Sequence, residues 1–344
     1  VSTEAADAAP PATSRHPAAA QLYGALDLGT NNCRLLLAAP TRTGFRVVES
    51  FSRVVRLGEG LGATGALSEP AQARAIEALS TCAARIGRQR LRGFRAVATE
   101  ACRRAANGRA FIARATAETG LAIHIISTRE EAELAVESCV PLLDAHAAEG
   151  IRRALLFDIG GGSTEVALVR LAAGRPPELA GYASLPAGVI TLAEKFGPAA
   201  RTPDGFQPMV DHVVSLLEPF EAVHRLADEV FRGGVRLLGT SGTVTTLAGV
   251  ALDLPHYRRA WVDGVTLETE NADAALARIL DLGEAGIAAH PCIGPERAEF
   301  VLPGCAVYAA IRALWPAPHV TVADRGLREG MLLRLMAHER RRFK

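Results

Sequence analysis

The feature that most constrains this chain is a pair of short motifs. In each, an aspartate closes an apolar run, a turn of small residues follows, and a second apolar run leads away. The first is Asp27-Leu28-Gly29-Thr30-Asn31-Asn32. The second, about one domain later, is Asp158-Ile159-Gly160-Gly161-Gly162-Ser163-Thr164-Glu165. Similar motifs at corresponding points of a repeated pattern point to an internal duplication, and the surrounding periodicity agrees. Before and after the first motif, YGALDLG, CRLLLAAP and Phe45 to Phe51 predict three strands in a meander. LSEPAQARAIEALSTCAARI then has helical spacing, with Ser68 as N-cap and Pro70 near the start. A strand at Phe94 to Thr99, a helix near Gly108 to Thr119, a strand at Ala122 to Ser127 and the helical STREEAELAVESCV follow.

After a polar linker at residues 144–153 the order restarts. ALLFDIGGGSTEVALVRL reads as strand, turn, strand, and ELAGYASLPAG as a further strand. Helices are expected at Val189 to Phe196 and Phe206 to Leu226. VRLLGTSGTVTTLAGVAL is strand, Gly turn, helix. Further helices are expected at Asp273 to Leu282, Pro295 to Phe300 and Gly304 to Leu314, before a closing strand, turn and helix in HVTVADRGLREGMLLRLMAHER. The order βββαβαβα, given twice, predicts an α/β protein built from two mixed sheets with helices outside and a cleft between them, where ligands usually bind.

The chain has 344 residues, 49% of them hydrophobic, enough for two cores. A net charge of +1 argues against nucleic acid and membrane surfaces as partners, and no apolar stretch of about 18 residues suggests a membrane span. Lys195 and Lys344 are the only lysines, so an anion site here has to be built from arginine forks and backbone amides. Cys33, Cys82, Cys102, Cys139, Cys292 and Cys305 form no C-x-x-C and sit at no zinc spacing, which fits a reduced cytoplasmic protein. The Ala-, Pro- and Ser-rich residues 1–20 lack the layout of a secretory signal and read as a disordered tail.

In both motifs the glycines are expected to allow positive φ and to let N–H groups approach an anion. The hydroxyls of Thr30, Ser163 and Thr164 can add further bonds. Aspartates so close to a phosphate call for a cation between them, and Mg²⁺ suits one or two carboxylates with water and phosphate oxygens. The alternative is two ordinary Gly-rich hairpins. Gly239-Thr240-Ser241-Gly242-Thr243 places a helix N-terminus after a strand; it suits a phosphate or the back of a nucleotide pocket, against close helix–strand packing as the simpler account. Thr128-Arg129-Glu130-Glu131 opens a helix with two acids. A capping box from Ser127 explains them; a helix leading across the cleft instead lets a carboxylate orient water for attack on phosphorus. Arg103 and Arg104 follow a strand that should end at the cleft, where arginine forks clamp phosphate oxygens.

These residues resemble the exopolyphosphatase / guanosine pentaphosphatase family, within the sugar kinase, heat-shock chaperone and actin superfamily. The resemblance runs from about Tyr23 to about Arg340 and rests on ALDLGTNNCRLLLA, VVRLGEGL, VATEACRRAANG, IISTREEAELA, FDIGGGSTEVAL, GTSGTVTTLAG, ERAEFVLPGCAVY and ADRGLREG. It implies two ribonuclease H-like domains, at residues 21–140 and 141–326, with the last helix, 327–344, packing back on the first. It implies Glu131 as the catalytic residue. Phosphate binding would fall to Gly29, Thr30, Asn31, Asn32, Arg103, Gly160, Gly161, Gly162, Ser163, Gly242 and Thr243. Asp158, Glu165 and Asp27 would be the magnesium-associated carboxylates. The chain departs from many members at Asn32 (serine), Thr128 (glycine) and Glu100 (histidine). Lacking the all-helical domain of long members, it resembles the short, two-domain ones.

The implied activity is release of terminal orthophosphate from polyphosphate, with Mg²⁺ present, Glu131 deprotonating water and Arg103, with Arg56, clamping the chain. Alternatives are hydrolysis of guanosine pentaphosphate, a kinase with an adenosine pocket near residues 239–243, and a sensor that binds without turnover. The resemblance leaves a homodimer open.

Overall fold

The structure is a computed structural model and describes residues 21–42 and 44–342. The stretch read as a disordered tail, residues 1–20, lies outside the described residues.

The duplication is visible strand by strand. The first sheet holds β1 (Leu22–Leu28), β2 (Asn32–Pro40), β3 (Phe45–Val54), β4 (Leu91–Ala98) and β5 (Ile123–Ile125), in the order β3-β2-β1-β4-β5. The meander β1-β2-β3 is antiparallel, while β4 and β5 continue parallel to β1. The second sheet holds β6 (Arg153–Ile159), β7 (Thr164–Ala172), β8 (Arg175–Leu185), β9 (Val235–Thr240), β10 (Thr266–Glu268) and β11 (His319–Ala323), in the order β10-β11-β9-β6-β7-β8. Read from the other edge, β8-β7-β6-β9-β11 repeats the first sheet, and β10 is an added edge strand. This is the two-sheet α/β arrangement that the element order predicts, and the ribonuclease H-like one that the resemblance implies. β10, three residues long, is too short to leave a periodic signal.

Local signals place most helices. Ser68 caps Glu69–Gly87 by accepting from the Ala71 amide at 3.4 Å, and Ser127 caps Thr128–Ser138 by accepting from Glu130 at 3.2 Å. Two expectations change. The first half of the polar linker, residues 144–148, belongs to a helix, Val140–Ala148, followed by Gly150 at φ +90°. Only about two turns long, it is held by Leu143 and Ala147 packing against Leu156 and Val169 of the second sheet. The two helices expected around Pro303 are one, Pro295–Leu314. Residues 301–308 are all buried, and that packing outweighs the roughly 3 kcal/mol penalty of an internal proline.

Two helices tie the sheets together. Thr128–Ser138 places Leu134 against β1 of the first sheet and Ala135 and Val136 against β6 and β7 of the second. The closing helix Leu327–Arg342 lays Leu327, Met331, Leu332 and Met336 on the same face of the first sheet. Gly330 lets it approach closely, since a Cβ there would meet the Leu134 carbonyl. Among the described residues no helix is long and apolar enough to cross a membrane.

Candidate active site

The two motifs are hairpins of the same build. Asp27 pairs with Arg34 across β1 and β2, and the Gly29 amide donates to the Asn32 carbonyl at 2.9 Å. Asp158 pairs with Glu165 across β6 and β7, and the Gly160 amide donates to the Ser163 carbonyl at 2.9 Å. Both turns are anchored from behind through their carbonyls. Asn31 O accepts from Val55 and Arg56 at 2.8 and 3.0 Å, and Thr30 O accepts from Gly58 at 3.0 Å. Gly160 O and Gly161 O accept from Val189 and Ile190 at 3.0 and 2.8 Å, and Gly162 O accepts from Thr191 Oγ1 at 2.8 Å. The amides of Thr30, Asn31, Gly161, Gly162 and Ser163 meet no hydrogen-bond acceptor among the described residues. Carbonyls tied back with amides left over is the arrangement of an anion cradle.

The turns lie against each other and line a cleft of about 230 Å³. None of Gly29, Gly160, Gly161 or Gly162 has a positive φ, which corrects the sequence-based reason for them. Close approach is the reason instead. A Cβ on Gly162 would lie 2.6 Å from Thr30 Oγ1, and one on Gly161 would lie 3.3 Å from Thr30 Cβ.

Four acids surround this cradle, Glu131 and Glu165 buried and Asp27 and Asp158 half-buried. Glu131, in the first turn of Thr128–Ser138, is 6% exposed and accepts from Arg103 Nη1 at 2.9 Å. Burial and then the like charge of Glu165 push its carboxyl well above the usual range, against the pull of Arg103. Burial also raises Glu165, although its Oε1 accepts from Ser163 Oγ at 2.6 Å and Ser184 Oγ at 2.8 Å. Asp158 is pushed up to about 8 by burial, then by Glu165 and Asp27. Asp27 is raised by burial, opposed by Arg34 and Arg328, and its Oδ1 is buried without a hydrogen-bond partner.

Among the described residues no three acidic side chains converge closely enough to hold a metal ion by themselves, so Asp158, Glu165 and Asp27 do not form a ready cage. Glu165 is committed to two hydroxyls. Asp27 and Asp158 both line the cleft with like-charge repulsion between them, a donor set that suits Mg²⁺ completed by water and phosphate oxygens.

Thus Glu131, both turns, Asp27, Asp158 and Glu165 come together on the cleft wall. Gly242 and Thr243 line it too, but the Thr243 amide already donates to Ser241 Oγ at 3.2 Å, and its side chain packs where a Cβ on Gly304 would fall. Close packing therefore explains much of that turn. Arg103 is not on the wall. Its Nη1 donates to Glu131 and to the Ile126 carbonyl, both at 2.9 Å, and its Nη2 donates to Glu100 at 2.8 Å. Arg56 is bound to Glu299 at 3.1 Å. The expected phosphate clamp thus consists of arginines already engaged by carboxylates, Glu131 and Glu100 for Arg103 and Glu299 for Arg56.

Sequence reasoning assigned no role to Arg34, Glu296, Arg297, Phe300 or Arg325, all of which line the cleft. Arg325 is held bidentately by Asp263 at 3.0 and 2.9 Å. For Arg34 a signal existed: it stands at the same offset from Asp27 as Glu165 does from Asp158.

The chain is similar to known proteins over most of its length. The model of the Ppx/GppA phosphatase family matches residues 37–339. A guanosine-5'-triphosphate,3'-diphosphate pyrophosphatase of Photobacterium profundum is 27% identical over 325 residues, 93% of this chain. The chain spans only 60% of that relative's length. Among solved structures, an exopolyphosphatase-like protein is 26% identical, with a TM-score of 0.78 over 92% of this chain and 98% of its own. An exopolyphosphatase from Cytophaga hutchinsonii is similar in fold, with a TM-score of 0.80 at 21% identity over 92% of this chain and 98% of its own. So is the Aquifex aeolicus member of the Ppx/GppA family, at 0.74 and 24% over 93% and 98%.

Proposed function

The chain belongs to the Ppx/GppA phosphatase family, and on that premise we propose that it releases terminal orthophosphate from inorganic polyphosphate by water attack. The observation that carries this reading is Glu131. It is a buried carboxylate on the cleft wall with the two amide-bearing turns, held at one oxygen by Arg103. The free amides of both turns would bind the terminal phosphoryl oxygens and offset the charge that builds up as the bond to the leaving phosphate breaks. Glu131 would take a proton from water as its oxygen attacks phosphorus. Burial raises its carboxyl and Arg103 opposes the rise, so it is a stronger base than an ordinary carboxylate. Asp27 and Asp158 would hold Mg²⁺, which would supply charge neutralisation at the phosphate oxygens.

A second substrate reading, guanosine pentaphosphate, has its own support. Away from the turns the cleft is lined by Arg297, Phe300 and Val301, a partly apolar wall with a ring, which suits a nucleoside better than a linear polyanion. The P. profundum relative carries a matching name. Polyphosphate is preferred here because a linear polyanion needs only repeated charge contacts, which the free turn amides and the arginines lining the cleft offer.

The test is kcat/KM for phosphate release from polyphosphate and from guanosine pentaphosphate under the same Mg²⁺ and salt. A higher value for polyphosphate is expected. A higher value for the nucleotide reverses the ranking, and release from neither removes the hydrolase reading, leaving a binding protein or, if phosphate passes to an acceptor, a kinase.

A further inference from the structure

Glu100 opens the short helix Glu100–Arg104, which follows β4 at the end of the sheet where the first turn lies. The Thr99 amide donates to the Leu28 carbonyl at 3.3 Å, so this helix starts next to that turn. The Glu100 side chain lines the cleft, and also the small cavity bounded by Gly58 and Thr191, which anchor the turns from behind. Its stem lies against the second turn, since a Cβ on Gly162 would fall 3.1 Å from Glu100 Cγ. A carboxylate beside a row of free amides is not what anion binding alone would select. Its Oε2 accepts from Arg103 Nη2 at 2.8 Å, while Arg103 Nη1 serves Glu131 and the Ile126 carbonyl. Glu100 is on the cleft wall and Arg103 is not, so the carboxylate covers the second arm of the guanidinium. Its charge also reaches further into the site. Burial raises the Glu165 carboxyl, and Glu100 adds to that rise.

We propose that Glu100 keeps the cleft's hold on a single phosphate weak, by covering Arg103 and by setting a negative charge beside the turn amides. The inference rests on the reading of the cleft as a phosphate site. Orthophosphate has only the cradle to bind, and the like charge of Glu100 opposes it there. A longer chain has further charge contacts to make along the cleft, so it binds where orthophosphate lets go. Glu100 thus governs product release: the cleaved phosphate leaves and the cradle is free for the next chain end. Without Glu100, the Nη2 donors of Arg103 would be open to phosphate oxygens, and the repulsion would be gone.

The test is calorimetric titration of inorganic orthophosphate, in Mg²⁺, into the full chain and its variants. Glu100→Gln removes the charge but keeps an acceptor for Arg103, whereas Glu100→Ala removes both. Glu100→Gln is expected to tighten orthophosphate binding by roughly 3- to 10-fold, and Glu100→Ala by roughly 10-fold or more, as a charged hydrogen bond is gained. In an Arg103→Gln background Glu100→Ala should gain clearly less, since only the repulsion is then relieved. A gain in affinity is the diagnostic sign, because a merely structural role predicts a disturbed cleft and weaker binding. During tripolyphosphate hydrolysis the inhibition constant for orthophosphate should fall by the same factors. Should Glu100→Ala fail to fold, Glu100→Gln decides the matter. Unchanged or weaker orthophosphate binding by the folded Glu100 variants, an equal gain in the Arg103→Gln background, or no orthophosphate binding by any of these chains overturns the proposal. Binding that follows the expected pattern without phosphate release by the wild-type chain upholds the role of Glu100 and removes the hydrolase reading alone.

Discussion

The hairpins around Asp27 and Asp158 share a backbone plan and differ in charge. Each has an aspartate at the end of a central strand, a turn closed by one amide–carbonyl bond of 2.9 Å, and carbonyls tied off from behind. The anchors are unrelated in sequence: the 55–58 segment does for the first turn what residues 189–191 do for the second. On this shared frame, the first hairpin carries an unengaged arginine and the second a glutamate locked between two serines. A duplicated fold can thus keep one turn geometry while its two halves diverge in the charge they carry.

The comparison is tested most severely by separating binding from chemistry. Glu131 belongs to neither hairpin, so Glu131→Gln is expected to lower kcat by roughly 10²- to 10⁴-fold while tripolyphosphate still binds. Near wild-type turnover would mean that the hairpins, and not this helix, supply the base.

The glycines of the two turns should then differ in tolerance. Gly162→Val drives a branched side chain into Thr30, and overpacking of this kind costs about 1–3 kcal/mol, roughly 5- to 150-fold in affinity. Gly29→Ala places its Cβ 3.4 Å from Asn32 O and should bind within a few-fold of wild type. Equal losses at the two positions would show that the turns do not interlock as described.

A smaller effect separates the aspartates by pH. Asp158 is pushed up to about 8 from an ordinary value near 3.8. The folded chain therefore holds a proton that the unfolded chain releases, and this contribution to stability is full below about pH 4 and lost as pH rises towards 8. In EDTA, the melting temperature is expected to fall by a few degrees across that window, less so in Asp158→Asn, and Mg²⁺ should reverse the fall at pH 8. An identical slope in Asp158→Asn would assign the proton to another acid.

The mildest test concerns the tethers. Ser184→Ala removes one of two hydrogen bonds to buried Glu165 and should cost about 0.5–1.5 kcal/mol of stability. Arg34→Gln breaks no ion pair and should leave the melting temperature within about 1 °C of wild type. A marked destabilisation by Arg34→Gln would place that side chain in the architecture and not in the binding surface.

Much of the site was legible in the chain because it is local. Strand, acid, turn and returning strand lie within a few residues of one another, so Asp27, Asp158, Glu165 and the turn glycines could be read directly. Ser68 and Ser127 cap the helices they precede, for the same reason. What the chain did not disclose depends on distant partners. Arg103 looked like a clamp beside its strand, but Glu131, 28 positions on, had claimed it. Pro303 looked like a break until the burial of its surrounding helix was known.

The amino-acid sequence by itself determined the duplicated βββαβαβα order, the two acid-led turns and the carboxylate that opens the connecting helix, since periodicity, turn chemistry and capping act over a few neighbouring residues. Only the tertiary structure decided how these pieces meet. It brought the turns together closely enough for glycine to be required by space and not by φ. It gathered four acids into one cleft, so that burial and like charge raised them together. It also decided which arginines were engaged and which were left facing the cleft, because ion pairing depends on distance in space and not on separation along the chain.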